Sequence, residues 1–186
     1  ELTDERALIA AFFELFTASA TSPRLVSWNG SGFDIPVLRY RAMKHGLAAP
    51  AFYRVDDPDK PATYTSRYHD KHVDLMDVLS GYGASSRAGL GMVCELLELP
   101  GKRFLDREVY EHFYAGEHER IVEYCKLDTL ETFLVFLAWC VHTGTLAPTA
   151  LTAYVKTIRE LVAREPYPAW TDVAALLARW PPWAST

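Results

Sequence analysis

Arg24-Leu25-Val26-Ser27-Trp28-Asn29-Gly30-Ser31-Gly32-Phe33-Asp34 is the stretch on which the fold is decided. Its first five residues form a short apolar run after the Ser22-Pro23 breaker and read as a buried strand. Asn29 to Gly32 is a turn. Asp34 to His45 reads as a helix, with Pro36 in its first turn, where a missing N–H does no harm. Gly46 follows the helix as a C′ glycine. Strand, turn and helix in this order place Asp34 at the C-terminal edge of a sheet, where open α/β sheets bind ligands. An aspartate at a helix start can also simply cap it, and taken alone the cap is the favoured reading.

Outward from this stretch, Asp4 to Ser19 reads as a helix: Leu8, Ala11, Phe12, Leu15 and Phe16 fall at helical spacing, and Thr3 or Asp4 can cap it. Ala48 to Lys71 reads as a long irregular surface loop. His72 to Leu75 is a strand end, Met76 to Ser80 a short helix and Gly81 to Arg87 a run of turns. Leu90 to Leu97, Arg107 to Gly116 and His118 to Thr143 read as helices. Two more, Thr149 to Ala163 and Thr171 to Trp180, are joined by a proline-rich link at Glu165 to Ala169. Strands are few for so many helices that need a surface to cover, so further strands are expected before Glu1. Residues 1–145 are read as the main domain, and 146–186 as a helical extension packed on it.

The chain has 186 residues, enough for one domain with a sizeable core. At 49% hydrophobic and 23% charged its composition is that of a folded domain, not a disordered one. The longest apolar run, Thr132 to Val141, falls short of the ~20 residues that span a bilayer. No basic stretch followed by an apolar one marks a secretory signal. Cys94, Cys125 and Cys140 lie far apart in apolar surroundings, as suits buried thiols in a reducing compartment, so the cytoplasm is expected. Without a CxxC pair a zinc site is not expected. The net charge of -5 is unlike that of most nucleic-acid binders. Carboxylate-rich metal sites also make a chain acidic, and bound metal ions can hold phosphate.

A second cluster lies at Tyr124-Cys125-Lys126-Leu127-Asp128. Tyr124 and Asp128 are four apart and share a helix face, beside Ile121, Leu127 and Leu130. An aspartate on an apolar face is usually paired or bound to a metal. A structural aspartate bonded to backbone fits this helix equally well.

Together the two clusters resemble the DEDDy branch of the DnaQ-like 3′–5′ exonucleases. The resemblance is to the predicted bacterial exonucleases related to the exonuclease domain of family B DNA polymerases. The superfamily's N-x-x-x-F-D motif stands here as Asn29, Phe33 and Asp34, and its Y-x-x-x-D motif as Tyr124 and Asp128. Cys125 and Thr132 extend the second motif as that subfamily does. His72 to Ser80, Tyr82 to Ala84 and Leu99 to Lys102 also look like the subfamily, and the likeness runs from about Asp4 to Gly144.

The resemblance implies an α/β, ribonuclease-H-like exonuclease fold, a mixed central sheet flanked by helices. It implies hydrolysis of 3′-terminal phosphodiester bonds in single-stranded nucleic acid, DNA by analogy, releasing nucleoside 5′-monophosphates. Two Mg²⁺ or Mn²⁺ ions would serve, held by carboxylates that include Asp34 and Asp128. Tyr124 would orient the attacking water, because a tyrosine with an ordinary pKa near ~10 is a poor base at neutral pH. The family's first motif, D-x-E, is absent; Glu1, Asp4 and Glu5 sit at a helix start and do not replace it. The expectation is that it lies upstream with the first strands, so that this stretch alone is inactive.

Asn29 could position Asp34 or the substrate backbone. Phe33 reads as a core or strand-stacking residue, and Tyr82 and Arg87 could contact a single strand. Asp74 could touch the site, with capping of the next helix the preferred role. Arg67, His69, Lys71 and His72 form a basic cluster that could hold phosphate, against the simpler reading of a solvated face. Arg39, Arg41, Lys44 and His45 read as a polar helix face, and Trp170, Trp180 and Trp183 as packing or interface residues. Two other functions stay open from sequence: an inactive nucleic-acid-binding relative and a helical protein-interaction module.

Overall fold

The computed structural model describes residues 4–17, 23–53, 64–65, 71–99, 106–164 and 168–185. It divides into two compact units, Glu1–Arg87 and Ala88–Thr186.

The first unit contains α1 (Glu5–Glu14), β1 (Leu25–Ser27), α2 (Asp34–Lys44), α3 (Pro50–Tyr53), β2 (His72–Asp74) and α4 (Leu75–Leu79). Asp4 caps α1 by accepting from the Ala7 N–H at 3.2 Å. Ile9 and Phe13 on α1, with Phe16 just past its end, turn inward against Ile35 and Ala42 of α2. Glu5 fastens the two helices from outside, accepting from the Arg41 guanidinium and lying 2.7 Å from His45 Nε2. The expected polar face of α2 is therefore partly spent on α1. Gly46, at φ +61°, ends α2 in the left-handed conformation expected of it.

Within the expected loop Ala48 to Lys71, Pro50–Tyr53 instead forms α3. Its cause is Phe52, which is 1% exposed and stacks on Tyr64 with centroids 4.9 Å apart. Tyr64 is buried too, and its hydroxyl donates to the Pro23 carbonyl at 2.5 Å. Most of the remaining loop, Arg67 and His69 included, lies outside the described residues.

β1 and β2 pair in parallel, with Leu25 opposite His72, Val26 opposite Val73 and Ser27 opposite Asp74. Parallel strands need a long crossover, and α2 and α3 lie in the one that joins these. Among the described residues this pair is the whole sheet, so the chain is a mostly helical α/β protein. The larger mixed sheet expected from the sequence is not seen among them.

The second unit is helical: α5 (Leu90–Leu96), α6 (Asp106–Tyr114), α7 (His118–His142), α8 (Pro148–Val162), α9 (Pro168–Leu177) and a 3₁₀ turn at Pro182–Ser185. α5, α6 and α8 all pack on α7, and α9 packs on α8. α8 buries Leu151, Val155, Ile158 and Val162, a single helical face. α9 begins at Pro168, inside the expected link, because proline is well suited to a first helical turn. Trp170 and Trp180 are buried, while Trp183 is 43% exposed. Among the described residues no helix is long and apolar enough to cross a membrane.

Candidate functional site

Asp34 opens α2 at the C-terminal end of β1, as the strand–turn–helix reading requires. It is not the cap. Phe33 occupies the cap position, and no side chain caps this helix. Asp34 is exposed as a residue, and its carboxylate meets its own backbone N–H. Burial of the carboxyl against the turn, and then the negative charge of Asp74, raise its pKa above the ordinary range.

The turn before Asp34 is closely built. Asn29 takes a left-handed φ of +59°, uncommon for any residue but glycine. Its carbonyl accepts from the N–H groups of Gly32 and Phe33 at 3.1 and 3.0 Å, and the Gly30 carbonyl accepts from Ile35 at 2.9 Å. Two glycines are needed for space. A Cβ on Gly30 would collide with the Ser27 side chain, and one on Gly32 with the Asn29 amide.

Asp74, the last residue of β2, caps α4 by accepting from the Met76 N–H at 3.2 Å, the role preferred from sequence. The same carboxylate also accepts from the N–H groups of Asn29 at 2.9 Å and Ser31 at 2.8 Å. Backbone N–H groups in a glycine-rich turn before a helix can cradle phosphate. Here two of them are already taken by Asp74.

His72 does not belong to a solvated basic face. It is half-buried, with Nε2 2.7 Å from Ser27 Oγ and Nδ1 3.2 Å from the Tyr64 carbonyl. A carbonyl only accepts, so Nδ1 carries the proton and Nε2 accepts from the Ser27 hydroxyl. Burial lowers the His72 pKa, opposed by Asp74 and the Tyr64 carbonyl. A neutral imidazole committed to two neighbours is not a phosphate-holding cation.

Phe33 is 64% exposed, which overturns the core reading and leaves its ring at the surface beside Asp34. Tyr82 is also exposed and stands at φ +58° in the turns after α4. Arg87 donates to Asp77 at 2.7 Å, so its charge is shared with a carboxylate.

Tyr124 and Asp128 lie in the second unit, one turn apart on α7, and both are half-buried. The inward stripe of the helix is Leu127, Glu131, Leu134 and Val135. Glu131, fully buried, was not singled out from sequence. Its signal was there: a carboxylate in phase with Leu127 and Leu134. The Cys94 thiol donates to Glu131 Oε2 at 3.7 Å. Burial, followed by the charges of Glu131 and Asp128, pushes the Cys94 pKa up, which puts Asp128 near α5.

The carboxylates of Asp34 and Asp128 are hard oxygen donors, as Mg²⁺ and Mn²⁺ prefer. The described residues match such ions in kind but not in number, since no three His, Cys, Asp or Glu among them could hold a metal ion together.

No match is found among curated proteins or solved structures. A family model, described as a predicted 3′–5′ exonuclease related to the exonuclease domain of PolB, matches residues 1–180. With an exposed aspartate at the start of α2 and a tyrosine–aspartate pair on α7, the chain belongs to this family of predicted exonucleases related to the PolB exonuclease domain.

Proposed function

We propose that the protein is a metal-dependent 3′–5′ exonuclease that hydrolyses the terminal phosphodiester bond of single-stranded DNA and releases nucleoside 5′-monophosphates. The observation that carries this reading is the uncapped Asp34 carboxylate. Asp34 does not serve as the cap of α2, and its exposed carboxylate is a hard oxygen donor at the helix start. Family membership over residues 1–180 supplies the reaction class.

Asp34 and Asp128 would be the carboxylates that hold Mg²⁺ or Mn²⁺. Such ions, when bound, offset charge on a phosphodiester and sharpen a water as nucleophile. Tyr124 would hold that water by its hydroxyl, acting through orientation. Asn29 shapes the turn before Asp34 and reaches the substrate backbone, while exposed Phe33 and Tyr82 offer faces on which terminal bases can stack. Arg87 contributes charge toward phosphate from its pair with Asp77.

The test is nuclease assay of the full-length gene product on 3′- and 5′-labelled single strands with Mg²⁺ or Mn²⁺, beside Asp34→Asn and Asp128→Ala. Stepwise loss from the 3′ end that requires metal and fails in both variants supports the reading. Metal-dependent binding without cleavage makes the protein a non-catalytic nucleic-acid binder instead.

A further inference from the structure

We propose that Asp74, with His72 beside it on β2, is a clamp that positions Asp34. This rests on the exonuclease reading for its catalytic consequence, and on geometry alone for the clamp. His72 and Asp74 are alternate residues of one strand, so they leave the same face. Both meet the segment that ends in Asp34.

A cap requires one carboxylate oxygen. Asp74 uses both: Oδ1 accepts from Asn29 and Met76, and Oδ2 from Ser31. At 6% exposure these are charge-assisted bonds with little competition from water. They act on the part of the turn that resists its own conformation, since Asn29 sits at φ +59°. His72 acts at the strand end before the turn. It holds the Ser27 hydroxyl at 2.7 Å, and Gly30 is seated against that serine so closely that a methyl group would not fit. The turn is thus held at the N–H groups of Asn29 and Ser31, five and three residues before Asp34, and pressed at Gly30, four before it.

The experiment compares full-length wild type with Asp74→Asn, Gly30→Ala and Asp34→Ala, each first checked for folding by its thermal transition. Asp74→Asn keeps the side chain's size and removes the charge. Amide hydrogen exchange at Asn29 and Ser31 should quicken roughly tenfold or more, while Phe13 and Ala42 stay as they were. In the nuclease assay kcat should fall about a hundredfold with KM nearly unchanged, because displacement of a reacting group acts on the chemical step. Gly30→Ala, which disturbs the turn with Asp74 intact, should lower kcat alike. Faster exchange with wild-type kcat, in protein where Asp34→Ala is inactive, overturns positioning and leaves a purely structural cap. Unchanged exchange overturns the clamp itself. A wild type with no nuclease activity at all sinks the exonuclease reading instead, and the exchange rates then decide the clamp alone.

Discussion

The indole N–H of Trp180 donates to the carbonyl oxygen of Leu97 at 2.8 Å, across 83 positions of sequence. Leu97 is the C-terminal cap residue of α5, where carbonyls lack intrahelical partners. Trp180, 5% exposed, thereby ties the segment after α9 to the end of α5 within the second unit. Trp180→Phe keeps most of the buried ring and removes the donor. It should cost about 1–2 kcal/mol and lower Tm by roughly 2–8 °C. Calorimetry of the two proteins measures this, and an unchanged Tm would mean that the bond contributes nothing.

Phe52 is the hub of the first unit. Its ring meets those of Phe13 and Phe16 edge-on, at 5.3 and 5.0 Å between centroids, and stacks on Tyr64. Phe52→Ala should destabilise the unit by about 3–5 kcal/mol, the cost of lost burial plus the cavity. Phe52→Leu should cost less. Urea unfolding separates them, and equal midpoints for Ala and Leu would contradict the packing described.

Glu5 gives the first unit a dependence on acid. The bond from Arg41, then the one with His45, holds its pKa down to about 2, from an ordinary 4.5. A depressed carboxyl pKa stabilises the folded state fully above the unfolded value. That contribution fades as pH falls from about 4.5 toward 2. Glu5→Gln should therefore be less stable than wild type at neutral pH, with the difference closing through that window. The pair is solvent-exposed, so the neutral-pH difference is small and shrinks with salt. Denaturant midpoints across pH give the comparison; a gap that widens in acid would refute it.

The thiols should react in order of access. Cys125 is exposed and Cys94 wholly buried, its pKa pushed up by burial and by two carboxylates. Only the thiolate is the nucleophile. In native protein iodoacetamide should modify Cys125 first, and Cys94 only after unfolding. Peptide mass mapping over time reads the order. Early labelling of Cys94 would show that α5 opens easily from α7.

Much of this was legible without coordinates. Asp4 before an amphipathic run, Gly46 after one, and the apolar Leu25-Val26 between breakers are local signals, and each appears where its chemistry puts it. Tyr124 and Asp128 share a face because helical period requires it. What stayed hidden depends on distant partners. Pro50–Tyr53 is helical because Phe52 finds Phe16 and Tyr64. His72 looked basic among Arg67, His69 and Lys71, yet burial lowers its pKa and its ring meets Ser27, 45 positions away. Asp74 was readable as a cap, since Met76 is two residues on, but not as the holder of Asn29 and Ser31. Phe33 carries an apolar ring that sequence assigns to a core or to stacking on a strand, and only the structure, with the residue 64% exposed, removes the core.

The parallel pairing of β1 with β2 also sets an order of events as the chain folds. Ser27 lies opposite Asp74, so the ladder cannot close until the whole intervening stretch has been made and gathered in. Closing so long a loop for two three-residue strands is entropically costly and slow. α1 and α2, the first two helices, separated by β1 alone and fastened by Glu5, can meet earlier and give the returning strand a surface. The bonds that Asp74 makes to the turn before Asp34 therefore form only once β2 has returned to β1.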